Sequence, residues 1–113
     1  MNDSELIEAF ERGSLHPFPH ELHVRVARAL SREPDGYERM VAGIKRMAPE
    51  KYHETMTRAW WELIVAAEDA LLDRSLLSRY YSSTALESGR ERWVEPDLRP
   101  LRSAVGEDLR QRV

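Results

Sequence analysis

His20-Glu21-Leu22-His23-Val24-Arg25-Val26-Ala27-Arg28-Ala29-Leu30 is the stretch whose reading decides the fold. At about 100° per residue, His20, His23, Val24, Ala27 and Leu30 share one stripe of a helix. Glu21, Arg25 and Arg28, continued by Arg32, make the opposite face. Two imidazoles therefore lie on an otherwise apolar stripe, one helical turn apart. The predicted helix runs from about Pro19 to Arg32 and stops at Glu33-Pro34-Asp35-Gly36.

Working outward, the same period recurs on both sides. Asp3 to Arg12 reads as a helix with Asp3 or Asn2 as cap and Gly13 as stop, burying Leu6, Ile7 and Phe10. Ser14 to Pro19 is a constrained connection with two prolines. Tyr37 to Met47 reads as a third helix, burying Tyr37, Met40, Val41, Ile44 and Met47. Pro49 suits the first turn of a fourth, predicted to continue to Leu72 with His53, Thr57, Trp60, Ile64, Ala67 and Leu71 on one stripe. A short fifth helix is predicted from Ser75 to Tyr81, presenting Leu76, Leu77, Tyr80 and Tyr81. Beyond Ser82 the period weakens. Trp93-Val94-Glu95-Pro96-Asp97-Leu98-Arg99-Pro100-Leu101 has two prolines and reads as extended, yet a free tail would waste Trp93, Leu98 and Leu101. This segment is expected to pack across the helices.

The fold class predicted is all-α: one compact bundle of four to five helices over 1–105, with 106–113 as a frayed or disordered tail. At 113 residues, with 42% hydrophobic and 33% charged residues, the chain has the balance of a soluble globular domain. A net charge of −3 provides no positive field for nucleic acid or anionic membrane. It also weakens a helix-turn-helix reading of the Arg25, Arg28, Arg32 row. There are no cysteines, which excludes disulfides, iron–sulfur clusters and thiolate metal sites. Leu63 to Ala67 is the longest apolar run and is too short to span a bilayer. Met1 to Glu5 is acidic and unlike a signal peptide, so a cytoplasmic protein is expected.

The chemistry-bearing candidates are His20, His23 and His53. Each imidazole has two polar nitrogens to satisfy, and charged rings repel at close range, so an inward cluster must be mostly neutral. A divalent cation meets both demands, because it accepts a lone pair from each ring. Three histidines from two helices would leave coordination positions open for water or substrate. Imidazole suits zinc, iron, copper and nickel alike. The expectation is a small metal-dependent enzyme acting on a small polar substrate, with Tyr52, Thr57, Trp60 and Tyr80 lining its pocket. The competing expectation is a non-catalytic module that binds a small molecule or partner helix, its imidazoles serving as hydrogen-bonding groups or pH sensors. His16 sits in the proline-rich turn, where no direction follows for its ring. Glu95 and Asp97 are candidates for a supporting acceptor or a general base, or else members of an ordinary turn. Trp93 and the exposed helix edges leave a homodimer open.

Taken together, Phe18-Pro19-His20 with His23, Tyr52-His53-Glu54-Thr55 followed by Thr57 and Trp60, Asp73-Arg74-Ser75-Leu76-Leu77 with Tyr80-Tyr81-Ser82, and Trp93 to Leu98 resemble a group of small, uncharacterised bacterial helical proteins. The likeness covers about Leu6 to Leu101 and implies a helical fold without a reaction. The chain is also similar in logic to the three-histidine bundles of the DinB/YfiT type, but its spacing differs and no residue role carries over.

Overall fold

The computed structural model describes residues 1–66 and 75–101. Its regular structure is helical throughout, and no strand occurs among the described residues, so the fold class is all-α. The backbone divides into two compact units, Met1–Tyr52 and His53–Val113. The division falls inside Tyr52-His53-Glu54-Thr55, a stretch that the apolar stripe reads as unbroken helix. The expected tail at 106–113 and the predicted helix end at 67–72 lie outside the described residues.

The first unit contains α1 (Asp3–Arg12), α2 (His20–Ser31) and α3 (Gly36–Met47), followed by a 3-10 turn at Pro49–Lys51. Asn2 caps α1 reciprocally: its side chain accepts from the Glu5 amide, and the Glu5 carboxylate accepts from the Asn2 amide. Gly13 ends the helix in the left-handed region at φ 75°, and Ser14 returns both its amide and its hydroxyl to the Ala9 carbonyl. Leu6, Ile7 and Phe10 are buried, as their spacing predicts, and Ala9 joins them.

Helix α2 packs against both α1 and α3. Its predicted stripe is buried at Val24, Ala27 and Leu30, and Val26 and Ala29 widen it. On α3, Met40 is buried and Tyr37, Val41, Ile44 and Met47 are half-buried. Helix α3 meets α1 at a glycine. A Cβ on Gly43 would collide with the far edge of the Phe10 ring, so the absent side chain makes room for that phenylalanine. Arg39 adds a two-pronged ion pair to Glu11, at 2.7 and 2.8 Å, and Arg46 donates to the Glu11 carbonyl. The guanidinium holds the Glu11 carboxyl below the usual carboxylate range.

The second unit contains α4 (Glu54–Ala66), a 3-10 turn (Leu76–Arg79), α5 (Ser83–Ser88) and the segment 89–101. Three expectations are corrected. The fourth helix does not begin at Pro49: Pro49–Lys51 is a separate turn, Tyr52 is extended, and α4 starts at Glu54. The predicted helix from Ser75 to Tyr81 is a short 3-10 helix confined to Leu76–Arg79, with Ser78 and Tyr80 donating to the carbonyls three residues earlier. Ser83–Ser88 is helical although its period is weak. Ser82 caps it through its hydroxyl, which accepts from the Ala85 amide, and Gly89 follows as its stop.

The 89–101 segment is tied down through Trp93 and Leu101, whereas Leu98, expected to pack, is exposed. The Tyr81 hydroxyl donates to the Val94 carbonyl, the Leu98 amide donates to the Tyr80 carbonyl, and Leu101 is buried. Trp93 meets Tyr81 edge to face, and the Arg58 guanidinium lies 4.0 Å from the Trp93 ring centroid.

Candidate functional site

The histidines divide by what their ring nitrogens do. His53 immediately precedes α4, where three amides would otherwise lack helical partners. The Glu54 and Thr55 amides donate to the carbonyls of Arg90 and Gly89, at 2.8 and 3.0 Å. The Met56 amide donates to His53 Nδ1 at 3.1 Å. An amide can only donate, so Nδ1 carries the lone pair and the proton sits on Nε2. That nitrogen lies 2.7 Å from the Leu86 carbonyl oxygen, an acceptor, and donates to it. Both contacts require the same neutral tautomer. Burial pushes the pKa of His53 below its ordinary value, outweighing the upward pull of the Leu86 carbonyl, and the positive charge of Arg90 pushes it further down. A ligand role for His53 requires it to release both contacts.

Thr55 completes this arrangement and was not singled out in the sequence. It is fully buried. Its hydroxyl donates to the Arg92 carbonyl at 2.8 Å and accepts from the Val94 amide at 3.0 Å. A Cβ on Gly89 would strike that hydroxyl, so glycine allows the 89–94 loop to reach the helix start. The sequence signal was present in Tyr52-His53-Glu54-Thr55, but the loop partners are separated from it by more than thirty residues.

His20 and His23 occupy the first turns of α2, whose cap residue Pro19 contributes no side-chain hydrogen bond. Both are half-buried. The spacing places their Cβ atoms roughly 5–6 Å apart. The His23 ring packs against Phe18 with centroids 5.7 Å apart, and Phe18 in turn stacks on Phe10. Burial against these rings pushes the His23 pKa down to about 4, and the neighbouring His20 adds to the shift. His23 is therefore neutral at physiological pH.

The remaining candidates have ordinary surroundings. Thr57, Trp60 and Tyr80 are buried at 7%, 5% and 2% exposure, so they form core in the second unit and leave little surface for a substrate. Tyr52, in the first unit, is half-buried with the Lys45 ammonium 4.9 Å from its ring centroid. Glu95 accepts from the Trp93 indole, and Asp97 accepts from the amide and hydroxyl of Ser82. Those two contacts hold the Asp97 carboxyl below its usual pKa. Glu95 thus acts within its own turn, whereas Asp97 ties its segment back to the cap of α5. His16 is exposed in the Ser14 to Pro19 connection.

Within either unit, the described residues gather no group of three or more His, Asp or Glu side chains able to hold a metal. No described helix is long and apolar enough to cross a membrane. No family model, curated protein or solved structure matches this chain.

Proposed function

We propose that this protein is a small helical binding module whose ligand-accepting group is the imidazole pair His20–His23, with a divalent transition metal as the ligand that the pair suits best. The observation that carries this reading is His23, a ring packed against Phe18 one helical turn from His20 and kept neutral by burial. Proton competition ordinarily weakens histidine–metal bonds, and a pKa near 4 removes it at neutral pH. Phe18 restricts one face of the ring and so limits its freedom before any ligand arrives. A cation at a helix N-terminus is disfavoured by about 0.3–1 kcal/mol, which is small beside metal–imidazole bonding.

Two protein ligands leave several coordination positions to water, a small molecule or a partner's side chain. Catalysis by a three-histidine centre would further require His53 to surrender the Met56 amide and the Leu86 carbonyl. The test is calorimetric titration of untagged protein with zinc, nickel and copper ions. Binding of about one ion per chain is expected, lost in His20→Ala and His23→Ala and retained in His53→Asn. No binding by the intact protein, or equal loss in all three variants, would overturn the proposal.

A further inference from the structure

We propose that His53 is a proton-operated latch that holds the 86–92 segment onto the start of α4 and releases it in acid. The basis is the pair of contacts that fix its tautomer. Nδ1 accepts the Met56 amide while Nε2–H donates to Leu86, so one ring joins the first turn of α4 to the last turn of α5. A proton added at Nδ1 points directly at another N–H. The ring then has no acceptor to offer, and the Met56 amide loses its partner.

The charged neighbours do not rescue the protonated form. Charged residues on the adjoining elements are Glu54, Arg58 and Glu62 on α4, Glu87 on α5, and Arg90, Glu91 and Arg92 on the 89–92 loop. Among these, Arg90 is the one whose charge bears on the ring, and it opposes a second positive charge. The positive end of α4 opposes it as well. Release is local because Glu54 and Thr55 keep their own carbonyl partners, so the latch opens at Met56 and Leu86 first. This role is independent of metal binding at α2.

The experiment is nitrogen-15 NMR of the intact chain, combining ring tautomer assignment with amide exchange. At about pH 7.5 His53 should be the neutral Nε2–H form. As pH falls from about 7.5 through and below the ordinary imidazole range, protection of the Met56 amide should fall about tenfold while that of Ile64 holds. His53→Asn supplies a cap acceptor that does not titrate, and it should abolish the pH dependence at Met56 while preserving the fold. An Nδ1–H tautomer at neutral pH, or the same acid-induced loss at Met56 in His53→Asn, would overturn the proposal.

Discussion

The two units reach helical structure by different means. In Met1–Tyr52, the helices are held by apolar side chains spaced at the helical period, and the Phe10 ring lies where a Gly43 side chain would stand. In His53–Val113, the start of α4 is defined by polar groups: two carbonyls of the 89–90 loop, an imidazole nitrogen and a buried threonine hydroxyl. The first is determined by local periodicity. The second is determined by residues brought together from distant positions. The first should therefore respond mainly to volume and the second mainly to lost hydrogen bonds.

The largest expected effect lies in the first unit. Phe10 is fully buried and stacks on Phe18, so Phe10→Ala should cost about 3–5 kcal/mol in denaturant unfolding. A loss below about 1 kcal/mol would remove the packing half of the contrast.

Acid sharpens it next. The folded pKa of His23 lies below the unfolded value, so between the two values the unfolded chain binds more protons and stability rises with pH. Its contribution is present above about pH 6.5 and is lost as pH falls through about 4, on the order of 3 kcal/mol before solvent screening is allowed for. Unfolding curves taken across that range should show the slope flatten in His23→Leu.

In the second unit, Thr55→Val keeps the shape and removes the hydroxyl. The Val94 amide and the Arg92 carbonyl then lose a shared partner, and a cost of about 1–3 kcal/mol is expected. If Thr55→Val were neutral, hydrogen bonding would not be what anchors the loop. The smallest effect belongs to Asn2→Ala, which removes one side of an exposed capping box and should cost about 1 kcal/mol by thermal unfolding.

This contrast explains what could be read from the chain. The Asn2 cap, the Gly13 stop and the stripes of α1 and α2 depend on neighbours within a few turns, and each emerged close to its predicted place. The importance of Gly43 did not, because a glycine adds nothing to an apolar stripe, and its value depends on a ring in another helix. The break at Tyr52–His53 was hidden for a similar reason. His53 continues the stripe of Thr57, Trp60 and Ile64, and only the carbonyls of Gly89 and Arg90 reveal that a helix begins there. His53, read as an inward imidazole that needs partners, finds both in the backbone. Whether a partner is a metal or the backbone depends on nitrogen geometry, which spacing alone does not contain.

The division of labour among the histidines can be tested directly by following the ring nitrogen signals of the intact protein during titration with zinc to about one equivalent. The signals of His20 and His23 should shift together while those of His53 stay in place. Movement of the His53 signals in step with the other two would contradict the account.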